Sequence, residues 1–333
     1  MLLFNQYEYN PRTDLAGRGE LSRVYKAMDT AAHTPVAVKI YTLGGHPPLE
    51  DRERLLGLSH PNICGYRSID EIDKEDSFGE KESFLVCVMD WMEGGSLGAY
   101  RDVAVLKGLL EDVVRGLDYL HQNGLIHRRI KASNLLTTKS PSGTTAKVTD
   151  IGYRLKDGKE ESGLLAGVAY LAPEQLSPAR YAIDGKISFN LDWWSLGVTV
   201  YEMIAGEPLF RSDESDSREQ VMTRILSPET PPQVSRLPEP FRGLVAACLV
   251  KDAHKRVPDP AELLRILATP LEEGPDEDAT VVLPRPVVKV EEMDNDPTVG
   301  LEWPKDDEKE AADEDATVIL PRPDQGIDQG VIL

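Results

Sequence analysis

The sequence predicts an α+β chain whose strands gather in the first quarter, whose helices fill most of the rest, and which ends in a segment without a packed core. Three observations carry this. Apolar residues alternate around glycines from Leu15 to Tyr41, the pattern of half-buried strands. An apolar stripe of helical period opens at Val103. Residues 271–333 hold 19 acidic and 5 basic residues, seven prolines and a single aromatic, Trp303.

The segment LAGRGELSRVYKA, with Gly17, Gly19 and then Val24, predicts a hairpin with a flexible tip, and PVAVKIY supplies a further strand carrying Ala37 and Lys39. A lone GxG is most often a turn. Followed at this distance by VAVK, it reads as a phosphate-covering loop and its lysine, because main-chain N–H groups without side chains can approach anionic oxygens. Residues 49–63 read as a short charged helix ending before His60-Pro61. FLVCVMDWMEGGSL (84–97) reads as a buried strand, a linker and a glycine turn.

From Val103 to His121 the chain is amphipathic, with Val105, Leu109, Leu110, Val113, Val114, Leu117 and Leu120 on or near one face. GLIHRRIKASNLL follows, then a strand pair bracketing the polar TTKSPSGTTAK and leading to VTDIG. Beyond YLAPEQL come a very apolar helix around DWWSLGVTVYEMIAG and three shorter helical segments reaching about Ala268.

Taken together, the ordered set Gly17/Gly19, Lys39, His127-Arg128, Lys131, Asn134, Asp150-x-Gly152, Ala172-Pro173-Glu174, Asp192 and Arg256 resembles a protein kinase of the bacterial-type, eukaryotic-like (Hanks-type) Ser/Thr family. The resemblance covers residues 7–268. It implies a two-lobed fold: a small β-rich lobe (7–92) and a larger α-helical lobe (93–268), with nucleotide between them, followed by a disordered acidic tail (269–333). It also implies ATP and Mg²⁺ as cofactors. Gly17, Gly19, Val24, Ala37, Lys39, Met89, Asp90 and Met92 would hold the nucleotide, and Asn134 and Asp150 the hard metal ion through oxygen.

One catalytic part is absent. The family pattern H-R-D-x-K-x-x-N stands here as HRRIKASN, with Arg129 in the place of the aspartate that accepts the substrate's hydroxyl proton and Lys131 retained. A guanidinium has no acceptor lone pair and stays protonated, so it cannot act as base. It could pair with a phosphate, or simply lie in solvent. The threonine usual seven residues before the APE glutamate is replaced by Gly167. The third glycine of the loop is Ser22, and the acid that should pair with Lys39 is ambiguous among Asp51, Glu50 and Glu53, spacing favouring Asp51. Ser162 is the only Ser/Thr between Asp150 and Glu174, a phosphate site or a solvated loop residue. These departures predict a pseudokinase; the alternative is a weakly active Ser/Thr kinase relying on Lys39, Asp150 and metal electrostatics.

The tail is repetitive. DEDATVVLPRP (276–286), DNDPTVGLEWP (294–304) and DEDATVILPRP (313–323) share D-x-D-x-T-V-x-L-x-x-P. Thr280, Thr298 and Thr317 each have a leucine three residues on: Leu283, Leu301 and Leu320. The arrangement resembles phosphothreonine peptides read by forkhead-associated (FHA) domains. It implies an FHA-domain partner and an active upstream Ser/Thr kinase acting in trans. Strand addition by TVVL and TVIL, or a merely solubilising tail, are the competing readings. The terminal Gly330-Val331-Ile332-Leu333 is a further candidate, as an end-carboxylate ligand.

Composition narrows the partners. The formal charge is −20, of which −14 falls in residues 271–333 and −6 in the rest; such a chain repels nucleic acid and anionic membranes, so neither is expected as a partner. The segment's acidity and low apolar content predict disorder. Three distant cysteines without CxxC spacing argue against a disulfide framework or a cysteine zinc site. No targeting signal or spanning stretch is read, which predicts a cytoplasmic protein.

Overall fold

A hairpin that the sequence pattern does not announce opens the computed structural model. Strands β1 (Leu2–Leu3) and β2 (Tyr7–Glu8) pair antiparallel around a turn in which Phe4 and Asn5 take left-handed backbone angles. The structure describes residues 1–19, 22–41, 52–75, 81–141, 143–152, 165–211, 215–229, 231–257 and 259–271. The three tail repeats, Glu50, Asp51 and Ser162 lie outside them. The backbone divides into two units, one of residues 1–41 with 67–91 and one of residues 52–66 with 92–271 among those described.

The first unit is a sheet. β3 (Leu15–Gly19) and β4 (Ser22–Asp29) form the expected hairpin, with a bulge between Leu15 and Gly17. β5 (Thr34–Tyr41) follows, and β6 (Tyr66–Glu75) and β7 (Lys81–Asp90) complete the order β1-β2-β4-β5-β7-β6, with β3 also on β4. Alternation then sorts the side chains. One face buries Tyr25, Ala27, Val36, Val38, Val86 and Val88 against Leu3, Phe4, Tyr7 and Tyr9 of the opening hairpin. The hairpin therefore lids a sheet core that three or four strands alone would leave open.

In the second unit α1 (Arg52–Leu56) ends earlier than the expected stop before His60-Pro61, because Gly57 follows it directly. Its Leu55 is fully buried. β8 (Gly95–Ser96) joins a small sheet with β9 (Leu135–Ser140) and β10 (Gly143–Val148). Between β8 and β9 runs α2 (Val103–Gln122), whose first amides bond the carboxylate of its N-cap, Asp102, at 2.8 and 3.1 Å. Its buried stripe is Leu106, Leu109, Leu110, Val113, Val114, Leu117 and Leu120. Val105, placed on or near that stripe from sequence, is instead exposed; it lies in the first turn at the edge of the stripe, four residues before Leu109.

α2 passes so close to the segment before β6 that a Cβ on Gly116 would stand 2.6 Å from the Asn62 carbonyl oxygen. Short helices α3 (Leu165–Val168), α4 (Pro173–Leu176) and α5 (Pro178–Tyr181) lead to α6 (Asn190–Ala205). All but two residues of α6 are buried, so it reads as apolar all round. α7 (Arg218–Leu226), α8 (Phe241–Cys248) and α9 (Pro260–Ala268) follow; α8 packs on α6, and α9 on both α8 and α2.

Candidate functional site: two half-sites, one in each unit

On the sheet unit, register does the positioning. Val24 stands opposite Lys39, Lys39 opposite Cys87, and Ala37 opposite Met89. Residues directly across an antiparallel pair share a face, so Val24, Ala37, Lys39 and Met89 lie together on the face away from the hairpin core. Gly17 pairs with Val24 on β3. Lys39 is 9% exposed, and its Nζ sits 4.8 Å from the ring centroid of Tyr41. Ser22 is buried at the start of β4, where its Oγ would stand 3.0 Å from a Cβ on Gly19.

Asp90 alternates to the other face. Its carboxylate takes Arg67 at 2.7 Å, and the same guanidinium reaches Asp29 at 3.1 Å. Its side chain is thus committed elsewhere, leaving its main chain for any nucleotide role. Met92 is buried in the second unit, and so is not placed with the sheet residues.

In the second unit the segment 127–134 is built around two buried groups. Asp192 of α6 is fully buried and accepts three hydrogen bonds: the His127 amide at 2.8 Å, the Arg128 amide at 2.8 Å and His121 Nε2 at 2.9 Å. Burial pushes its carboxyl up, but the bonds and charge supplied by His121 and His127 outweigh that and hold it below the usual range. These bonds also hold Arg128 in a left-handed conformation that a non-glycine residue otherwise disfavours.

His127, fully buried, donates from Nε2 to the Thr149 carbonyl (2.7 Å) and accepts at Nδ1 from the Arg129 amide (3.2 Å). That pattern fixes a neutral tautomer. Burial, opposed by Asp192, lowers its pKa from the ordinary histidine value.

The metal candidates come together here. The Thr149 amide and hydroxyl donate to the Asn134 carbonyl at 3.0 and 3.1 Å, which sets Asp150 beside Asn134. Asp150 and Gly152 both have positive φ. Asn134 Nδ2 donates to the Arg129 carbonyl (2.8 Å), so Oδ1 is the amide atom left to ligate. An amide oxygen and a carboxylate suit Mg²⁺. No cluster of three or more His, Cys, Asp or Glu capable of holding a metal occurs among the described residues.

Arg129 therefore has its main chain held at both ends while its side chain is exposed. Lys131 is half-buried at the start of the 3₁₀ turn Ala132–Asn134. Gly167, in α3, is exposed, and among the described residues a Cβ there would meet nothing within 4 Å. Of the candidate partners of Lys39, only Glu53 is described; it is exposed in the first turn of α1.

Sequence reading missed two supports. His121 reaches Asp192 across 71 residues, and no local pattern announces it. Tyr170 bonds Glu202 at 2.6 Å, behind the segment that leads into α4. A third, Glu174, was read only as part of a motif. It is fully buried and bidentate with the fully buried Arg256, at 2.6 and 2.9 Å.

A sheet unit with a buried lysine and a helical unit with a histidine-anchored loop are the two parts of a kinase-like fold. Residues 11–266 match the family model of the protein kinase domain, and the chain belongs to the protein kinase family. It is 29% identical over 274 residues to mitogen-activated protein kinase kinase kinase 1 of Mus musculus, covering 75% of this chain and 17% of that one. It is 31% identical over 256 residues to cytokinesis protein sepH of Aspergillus terreus, covering 73% of this chain and 17% of that protein.

The chain thus spans about one sixth of the length of these curated relatives. Among solved structures, that of Rad53 residues 1–466 in complex with AMP-PNP superposes with a TM-score of 0.58 at 25% identity, covering 78% of this chain and 64% of that one. The two-lobed kinase-like fold expected from the sequence is the fold observed. No helix among the described residues is long and apolar enough to cross a membrane.

Proposed function

We propose that this chain is a pseudokinase that binds nucleotide and recruits partners through its threonine repeats. The observation that carries the reading is Arg129. The loop around it keeps its frame, with His127, Asp192 and Asn134 all engaged, yet the residue presented is a cation. Loss of a positioned base costs ~10²–10⁴ in rate, about 3–5 kcal/mol of barrier. Gly167 removes a hydroxyl that the family uses beside that base, so two partners of one hydrogen-bond set are missing.

Lys39, with Val24, Ala37 and Met89 on one sheet face, fits a nucleotide: an apolar surface for a base and a buried ammonium for its phosphates. Asn134 and Asp150 would hold Mg²⁺, which when bound neutralises phosphate charge. Thermal-shift titration with ATP and Mg²⁺ tests this, and stabilisation of several degrees is expected at millimolar nucleotide. Transfer of γ-phosphate to generic substrates should stay at background. Turnover near that of ordinary kinases, abolished by Asp150→Asn, would establish the weaker alternative of an active enzyme.

For the tail, phosphorylation of Thr280, Thr298 or Thr317 by an upstream kinase would add ~1.5–2 negative charges each and create a ligand for an FHA domain. Strand addition of the repeats to this chain's own sheet is disfavoured. The edge strand β6 carries Asp70, Glu71, Asp73 and Glu75 against Arg67 and Lys74, a net negative charge of the same sign as the repeats. The bacterial-type assignment belongs to the same proposal and rests on the tail motif; the relatives named above are eukaryotic.

A further inference from the structure

Lys39 is oriented from within its own strand. Side chains alternate along β5: Ile40 packs toward the core beneath the opening hairpin, so Lys39 and Tyr41 project together from the other face. There the Lys39 ammonium lies over the Tyr41 ring, 4.8 Å from its centroid. The face of an aromatic ring carries negative charge density and attracts a cation, more strongly where water is excluded. Both groups meet that condition, with Lys39 9% and Tyr41 2% exposed.

The loop side of the sheet bears on the same ring. Register sets Ser22 of β4 directly opposite Tyr41, as it sets Val24 opposite Lys39, and opposed residues of an antiparallel pair share a face. Ser22 is buried, and the hairpin returns so closely over it that a Cβ on Gly19 would stand 3.0 Å from its Oγ. The residue in place of the loop's third glycine is therefore the cross-strand neighbour of the ring beneath the lysine.

A ring engages an ammonium from one side and leaves N–H donors on the other. The long stem of a lysine is flexible, and a stem fixed before the ligand arrives loses less freedom on binding. We propose that Tyr41 is a positioning residue of the nucleotide site, its ring fixing the Lys39 ammonium for the phosphates of ATP. It acts in addition to any acid that pairs with Lys39. This inference rests on the reading of that sheet face as a nucleotide site.

The test compares ATP with adenosine, which shares the base and ribose but brings no phosphate to Lys39. Dissociation constants come from thermal-shift titration of the full chain in Mg²⁺, each variant read against its own ligand-free melt. Tyr41→Leu, which keeps apolar bulk and removes the ring, should weaken ATP about fivefold and leave adenosine unchanged. Tyr41→Phe, which keeps the ring, should bind ATP as the unmodified chain does. Because Tyr41 is buried, the Tyr41→Phe variant made with ring-fluorinated phenylalanine supplies a check that preserves the shape of the core. Fluorine withdraws charge from the ring face, so ATP should weaken with each added fluorine while adenosine does not. Equal weakening of ATP and adenosine by Tyr41→Leu, or ATP binding indifferent to fluorination, would overturn the proposal and leave the nucleotide reading standing. Failure of the unmodified chain to bind either ligand would remove the nucleotide reading, and this proposal with it.

Discussion

Arg129 sits in a backbone frame whose every other support is intact, which makes it a test of what one residue contributes. Arg129→Asp restores an acceptor at a position already fixed through the amide and carbonyl of residue 129. Transfer to a generic peptide should rise about tenfold, short of the ~10²–10⁴ of a fully oriented base because Gly167 offers it no hydroxyl partner. A single-turnover assay with labelled ATP reads this; no rise would mean the nucleotide is not held in line. A second residue sets a pH dependence. Burial pushes Glu202 up to about 7, against the bonds from Tyr170 and the Leu209 amide and the charge of Arg211, which lower it. The folded state then binds the extra proton between the unfolded value near 4.3 and about 7, so stability is lost as pH rises through that window. Glu202→Gln, which still accepts from Tyr170, should match wild type in Tm at pH 4 and exceed it at pH 8, as differential scanning calorimetry would show.

At the scale of elements, the bidentate Glu174–Arg256 pair joins the α4 turn to the loop before α9. Arg256 also donates to the carbonyls of Val250 (2.6 Å), Asn190 (2.9 Å) and Lys251 (3.1 Å) and lies 5.1 Å from the Trp194 ring centroid. Both partners are fully buried, so removing one strands the other's charge. Arg256→Met should cost roughly 3–5 kcal/mol, and a thermal melt unchanged within a degree would refute that structural role. This pair was legible in sequence only as a motif at each end, 82 residues apart. The long period of α2 and the alternation of β4 and β5 were legible outright, because a stripe of seven apolar residues or a paired strand of eight repeats its signal. β1 and β2 were not, because two-residue strands carry no period; only their pairing buries Leu3 and Tyr7. For the site, residue types and spacing gave Lys39, Asn134 and Asp150, whereas register alone decides that Met89 shares the face of Lys39 and Asp90 does not.

On the scale of the whole chain the charge of −20 separates into a domain of −6 and a segment of −14 that repeats one motif three times. A solubilising role needs acidity but not order, and it would tolerate any permutation of residues 271–333. The phosphothreonine reading needs Thr280, Thr298 and Thr317 at fixed distance from Leu283, Leu301 and Leu320, and so the two readings separate under a change that leaves charge alone. Peptide 276–286 phosphorylated on Thr280 should bind an FHA domain from the same organism at least about tenfold more tightly than its unphosphorylated form, since a charge-assisted bond to phosphate outweighs a neutral one. Leu283→Ala within the phosphopeptide should weaken it again by removing an apolar contact worth about 1–2 kcal/mol. In the phosphorylated full chain, replacing two of the three threonines by alanine should lower affinity for a multivalent reader by far more than the loss of two-thirds of the sites, because avidity scales with effective concentration. Isothermal titration of the peptides and surface binding of the full chain measure both. Equal affinity of the two peptide forms would remove the phospho-switch, and a strictly proportional loss would leave three independent sites on one strand of chain.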